Sequence, residues 1–260
     1  MRKVLAGALL LTAPWAMAEV VPQDPTTDAP TFSFTAPSPW KVSVGGGVVS
    51  RARYEGSATN RLRFAPLLEA DNGHWFASVV RGIGYNFSDE ADLKYGLRIK
   101  QSPSRKTSLD PRLTGMGSIR TAADLGIFAS ARFAPWFVAG SLDASSHGVL
   151  MNLGGGADLP LSETDRLRFT LSTNVGNANY MQTFFGVTAA QSASSGLVAY
   201  QAGAGIKDVE LSANWGHSFS PAWFSNVGMG VKQLAGNAAN SPLTVRRTLP
   251  SASFVVGYRF

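Results

Sequence analysis

Three histidines, His74, His147 and His217, are the first residues to test for chemistry, because imidazole changes charge close to neutral pH. None has the His-x-His or His-x-x-x-His spacing that brings two rings onto one metal. The chain has no cysteine, which removes thiolate metal sites, cysteine nucleophiles and disulfide staples together. Ser145 and Ser146 precede His147, but a catalytic triad is an arrangement in space and adjacency in sequence does not make one. Asp110, Asp124 and Asp143 lie too far apart in sequence to be assigned as an acid–base pair. Gly45-Gly46-Gly47 and Gly154-Gly155-Gly156 are not followed by Lys-Ser/Thr, so neither is a phosphate loop. The expectation is a chain with no catalytic residue, no cofactor and no metal, and so not an enzyme.

The charges are organised differently. Lys and Arg total 23 against 17 Asp and Glu, a formal charge of +6, and charged residues are only 15% of the 260. Basic residues alternate with apolar ones instead of forming a block. Arg61 and Arg63 share one face, as do Lys94, Arg98 and Lys100, and Arg166 and Arg168. Nucleic-acid binding calls for clustered charge with stacking aromatics, so that partner is not expected. Alternation places these cations in a wet interior, where Asp124, Asp158, Asp208 and Glu210 could neutralise them.

The elements that must position such a face have a period of two. Leu93, Tyr95, Leu97 and Ile99 alternate with Lys94, Gly96, Arg98 and Lys100, and the same pattern fills Arg166–Asn174, Asp208–Gly216 and Ser251–Phe260. Weaker alternation marks seven more stretches, among them Trp40–Ser50, Arg61–Ala70 and His74–Gly84. Runs of about nine to twelve residues suit strands that cross a bilayer at a tilt. A closed barrel satisfies every backbone group of such strands in lipid. The fold class is therefore all-β, a transmembrane antiparallel up-and-down barrel.

Eleven stretches conflict with the even strand number of a bacterial barrel whose two ends share one side. Arg81 breaks the parity of Trp75, Ala77 and Val79, which puts the missing strand between His74 and Lys100. The expected number is about twelve, with ten as the alternative. Short turns at Ala134-Pro135, Pro160–Thr164 and Ser220–Ala222 face the periplasm, and Gln101–Thr121, Val175–Ala204 and Ala235–Pro250 are long outer loops.

The N-terminus sets the compartment. Arg2 and Lys3, the apolar run Val4–Leu11 and Ala16-Met17-Ala18 read as a secretory signal over 1–18, whose removal leaves a charge of +4. Pro22, Pro25, Pro30, Pro37 and Pro39 make 19–39 a proline-rich periplasmic tether, and 40–260 is the barrel. The expected location is the bacterial outer membrane, with its lipid as the immediate partner.

Several motifs resemble the MltA-interacting protein / OmpV family of outer-membrane proteins. The longest runs from Tyr180 through Phe184, Phe185, Gly186, Gln191, Ser192 and Gly196 to Lys207 and Asp208. Others are Tyr54-Glu55-Gly56-Ser57, Asp110-Pro111-Arg112, Ser241-Pro242 and the closing Gly257-Tyr258-Arg259-Phe260. Ser118 stands where an acidic residue is frequent. The resemblance implies a scaffold that links a murein-cleaving lytic transglycosylase to a bifunctional penicillin-binding synthase during peptidoglycan remodelling. A small uptake pore is the alternative, and a lipid-modifying barrel enzyme the third reading. Parity puts the Tyr180–Lys207 segment outside, where it is expected to fold inward as a plug. In it Phe184, Phe185 and Val187 would pack together while Gln182, Gln191 and Ser192 bond lumen charges.

Phe254, Val256, Tyr258 and Phe260 form an alternating aromatic terminus of the kind read by the barrel insertion machinery. Deleting Phe260 is expected to lower the outer-membrane yield while export across the inner membrane continues. Quantifying the protein in separated membrane fractions checks this, and an unchanged yield would remove the assembly role.

Overall fold

The computed structural model describes residues 40–260, so the expected signal and tether lie outside the described residues. Twelve antiparallel strands close into one barrel: β1 (Lys41–Ala52), β2 (Asn60–Asp71), β3 (Trp75–Ser78), β4 (Gly82–Asn86), β5 (Leu93–Gln101), β6 (Ala123–Phe133), β7 (Trp136–Ser145), β8 (Gly148–Pro160), β9 (Asp165–Gly176), β10 (Gly205–Ser218), β11 (Trp223–Leu234) and β12 (Thr248–Arg259). Each strand pairs with its sequence neighbours, and β12 closes on β1 from Ser43↔Arg259 to Ser50↔Ala252. The stretch His74–Gly84 is not one strand. It is the hairpin β3–β4, folded at 79–81, which restores the even number. Four and five residues are too few to span hydrocarbon, so this part of the wall is low.

Alternation sorts the side chains. Leu62, Phe64, Ile83, Ile99, Leu125, Leu171, Leu211 and Met229 are more than half exposed on the outer surface, as a lipid-facing belt requires. Inside lie Arg98, Lys100, Asp124, Asp143, Asn152, Thr170, Ser172 and Asn174, all buried. With the short turns taken as periplasmic, all five described tryptophans, Trp40, Trp75, Trp136, Trp215 and Trp223, sit at that end and are exposed. Trp75 meets Tyr85 edge-on at 4.9 Å, and Trp223 meets Tyr258 at 5.2 Å, which in turn meets Phe260 at 4.9 Å. The C-terminal aromatics thus belong to an interfacial collar.

Two levels of side-chain contacts line the lumen below its outer end. Arg98 donates to both carboxylate oxygens of Asp143, at 3.0 and 2.7 Å, and Lys100 reaches the same group at 2.8 Å. This pairing steps over β6, which is possible because Gly126 lies between: a Cβ there would stand 2.0 Å from Asp143 Oδ1. Asp143, not Asp124, is therefore the main partner of β5's cations. Nearer the periplasm, Arg168 grips Asp158 through Nε at 2.8 Å and lies over the Phe137 ring at 5.0 Å. Arg259 covers Phe224 at 4.2 Å.

Removing one member of a buried ion cluster strands the others, a loss of roughly 3–5 kcal/mol. Asp143→Ala, which leaves Arg98 and Lys100 without their shared carboxylate, is expected to destabilise the barrel by about that much. Urea unfolding followed by tryptophan fluorescence measures it, and an unchanged midpoint would contradict a structural role for the pair.

Candidate functional site: a latched lid over the lumen

The outer loops do not splay into solvent. Residues 177–204 carry two helices, α1 (Ala178–Phe185) and α2 (Ala189–Ser195), and 235–247 begin with the short α3 (Gly236–Ala239). Asn177 caps α1 by accepting from Tyr180 N–H. Thr188 and Gln191 close a capping box on α2, and Gly196 ends it at φ 74°. The loop 102–122 adds 3-10 turns at Thr107–Leu109 and Pro111–Leu113, the second capped by Asp110 accepting from Arg112 N–H.

Apolar faces of these pieces pack inward in two clusters. Tyr180, Met181, Phe184 and Phe185 join Leu150, Ala202, Leu234, Ala238 and Leu249. Val187 joins Tyr54, Leu109, Leu113, Met116 and Leu243. Met181, Phe185, Leu113 and Leu243 have no exposed surface, so the lid is a small core of its own. Phe184 and Phe185 do pack together, whereas Val187 lies in the second cluster. Gln182, Gln191 and Ser192 bond backbone instead of lumen charges: Gln182 Oε1 accepts from Ala202 N–H, Gln191 Nε2 donates to Met116 O and Ser192 Oγ to Leu197 O. Amide and hydroxyl side chains here are taken up by neighbouring backbone groups before they can reach the wall.

The other motif residues converge on the same lid. Tyr54 donates to Leu243 O at 3.0 Å. Gly56 O accepts from Val245 and Arg246 N–H; at φ 99°, with Thr244 Cα 2.8 Å from where a Cβ would stand, only glycine fits there. Ser57 Oγ approaches Asp110 at 3.5 Å, and Arg112, beside Pro111, donates twice to Pro242 O. Ser241 Oγ donates to Phe185 O at 2.6 Å, Gly186 N–H to Gln182 O at 3.0 Å, and Arg105 Nη1 to Phe184 O at 2.7 Å. Ser118 Oγ accepts from Thr107 N–H, a local bond that needs no charge.

Ion pairs fasten the lid to the wall. A register shift between Ile206 and Asp208 on β10 turns both Lys207 and Asp208 inward. Lys207 Nζ lies 2.7 Å from Glu55 Oε1, 3.2 Å from Asp208 and 5.8 Å from the Tyr180 ring centre. Lys232 reaches Glu210 at 3.3 Å and Glu55 at 3.5 Å, and Asn174 Nδ2 donates to Asp208 at 2.8 Å. Burial opposes ionisation of Glu55, yet Lys207 and Lys232 hold it below the usual carboxylate range. Burial pushes Tyr180 well above the ordinary phenol range and lowers Arg105 to about 10, still charged at neutral pH.

His74 and His217 stand apart from this lid–wall network, whereas His147 meets the lid's Phe184 edge-on at 5.6 Å. His147 Nδ1 lies 3.2 Å from Ser102 Oγ, but that serine is 1% exposed and already accepts from Ala122 N–H. His217 pairs with Asp165 at 2.9 Å, and His74 with Asp89 at 3.2 Å, both near periplasmic strand ends. Arg105 and Lys232 are the lid and latch residues that motif reading overlooked. Lys232 was recoverable from parity, since Gly228, Gly230 and Lys232 share the inward face of β11.

A model of the MltA-interacting protein MipA family matches residues 44–260. The chain belongs to the MipA family. No curated protein matches the sequence. Among solved structures it is similar to the NanC porin, with 7% identity, 85% of this chain and 100% of that one covered, and a TM-score of 0.42. The toluene transporter TodX of Pseudomonas putida gives 8%, 86% and 90%, and 0.38. OmpT of Vibrio cholerae gives 6%, 85% and 97%, and 0.39. Within this MipA-family chain, the segment from Tyr180 to Asp208 supplies one side of the lid and one side of the latch. The family match and the closed, lipid-belted barrel make it an outer-membrane barrel protein.

Because the folded value of Glu55 is depressed, the latch is complete above about 4.5, the ordinary value, and is released only as pH falls through the depressed value beneath it. Glu55→Gln should release it at neutral pH. Hydrogen exchange over 178–202 is expected to quicken on the order of tenfold in the variant, the scale of one charge-assisted bond. The same loss of protection, after correction for the pH dependence of intrinsic exchange, is expected in the unmodified protein once Glu55 is protonated at acid pH; protection independent of both changes would dismiss the latch.

Proposed function

We propose that the protein is a non-enzymatic scaffold that holds a murein-cleaving lytic transglycosylase and a bifunctional penicillin-binding synthase together at the inner face of the outer membrane. The observation that carries this reading is the closed outer end. A packed lid covers it, and ion clusters and cation–aromatic stacks line the inner wall below it. A barrel built this way is suited to presenting surfaces more than to passing solutes. The family's own description names an interaction with MltA, which supports a periplasmic enzyme as partner.

The surfaces available to such partners are the periplasmic turns, at 72–74, 87–92, 134–135, 161–164 and 219–222, and the segment before β1. Asp89, Glu90 and Asp92 give one turn an acidic exposed edge, and Phe219 and Trp136 give others an aromatic one. Rigid aromatics beside charge are the ordinary materials of a protein interface. Residues 19–39, in the role of tether, add a further periplasmic stretch of chain that such a partner could engage.

In planar bilayers the intact protein is expected to give no stable ohmic steps. Replacing 178–203 by a short Gly-Ser link should open conductance while enzyme capture from solubilised membranes persists. Deleting 20–39 should do the opposite. Capture lost with the lid and retained without the tether would reverse the assignment, and stable steps from the intact protein would favour the pore.

A further inference from the structure

The barrel wall is incomplete in its outer half. β3 pairs with β2 only from Glu69 to Asp71, with one further bond from Val79 N–H to Leu68 O at 3.2 Å. Backbone groups alternate sides along a strand, so the residues that face the missing neighbour are Pro66, Phe64 and Leu62. From Leu62 to Leu68 that is about 20 Å of edge at ~3.3 Å per residue. Proline at 66 removes one donor where no acceptor stands opposite, the usual place for proline in a sheet. Leu62 and Phe64 turn their side chains to the lipid and are 66% and 71% exposed. The far side of the break is the chain leaving β5, Pro103 to Arg105.

Hydrocarbon does not tolerate an open edge unless protein covers it or it borders a wet cavity. A cavity of about 150 Å³ lies behind this one, lined from the near side by Arg51, Arg53 and Arg63 and from the far side by Pro103, Ser104 and Arg105. Residues flanking the break on both sides therefore share one hollow. Lys207 and Lys232 bring its lining to six cations, against the carboxylates Glu55 and Glu210. Arg53 is held by Leu109 O at 3.2 Å and Arg105 by Phe184 O at 2.7 Å, contacts that orient a guanidinium without neutralising it. Arg105 is 5% exposed, and its Nε has no hydrogen-bond partner. The rest of the lining includes Leu150, Phe184 and Leu249, which are apolar.

We propose that the break above the β3–β4 hairpin is a lateral doorway, through which an anionic amphiphile of the outer leaflet seats its carboxylate or phosphate group among Arg51, Arg53, Arg63 and Arg105. The size of the cavity decides how much of the ligand enters. About 150 Å³ holds a headgroup and no acyl chain, so the tail stays in the break against Leu62, Phe64 and the edge of β2. Guanidinium is the natural partner of a planar or tetrahedral oxyanion, because its donors lie in a fixed fork. The doorway needs no conduction through the barrel and leaves the lid closed.

The test uses the full-length mature protein in nonionic detergent, with dodecyl phosphate as the probe and native mass spectrometry as the readout. The expected result is a one-to-one complex, displaced by dodecanoate and not by dodecyltrimethylammonium. Arg63→Gln/Arg105→Gln should weaken it at least tenfold. Inorganic phosphate binding as tightly as dodecyl phosphate would place the source in water and overturn the doorway, as would full binding in the double variant. Should that variant fail to fold, the unmodified protein decides. A dodecyl phosphate with a photoreactive tail should label 62–66 and 103–105. Labelling spread evenly over the belt, including β8 and β9, would overturn the proposal.

Discussion

Hydrocarbon offers a peptide group no hydrogen-bond partner, and most of this architecture follows from that. Strands must pair on both edges, so the sheet closes and β12 returns to β1. Closure fixes an inside and an outside, and a period of two then assigns each side chain to one of them. Leucines and phenylalanines that would form a core in a soluble sandwich become the outer surface. The polar residues become the interior, and they have to satisfy one another there. Arg98, Lys100 and Asp143 do so across an intervening strand, which is why a glycine at 126 is as structural as the charges it accommodates.

An interior built largely of charged and small polar groups has little apolar mass to hold a plug. The chain supplies that mass from its loops. Phe185, Met181, Leu113 and Leu243 are contributed by three separate outer loops, and they form a core above the ion clusters instead of within the wall. Lys207 joins the two regimes, its ammonium lying on Glu55 and facing the Tyr180 ring. The register shift on β10 that turns Lys207 inward is thus a functional irregularity: a regular strand would have aimed this side chain at the lipid.

Much of this was legible in the sequence, unevenly. Strands such as Arg166–Asn174 and Asp208–Gly216 announced both their existence and their faces, because one face meets lipid and the other water. Long loops were visible as stretches where alternation stops. The β3–β4 hairpin was legible only as a broken parity at Arg81, since four- and five-residue strands carry too little period to read. Pairing inside the lumen was not legible. Asp143 and Asp124 have the same parity, and only three-dimensional neighbourhood, with Gly126 between, selects Asp143. The contacts of Gln182, Gln191 and Ser192 also eluded sequence, because their partners are backbone amide and carbonyl groups, which nearly every residue has. Residues 54–57, 110–112 and 241–242 were visible as motifs, but that they meet on one lid follows from the packing of three loops distant in sequence.

The tryptophan collar has a mechanical consequence. All five described indoles lie at the periplasmic end, and none secures the outer rim. Indole rings resist leaving the headgroup layer, so the barrel is moored at one depth and only loosely restrained at the other. Changes in outer-leaflet thickness or lateral pressure would then rock the far rim about this ring while the inner turns keep a nearly constant height. For the inner-side scaffold proposed above, that would be vibration isolation: the partner-facing turns stay still while the exposed end rides the fluctuations of the cell surface.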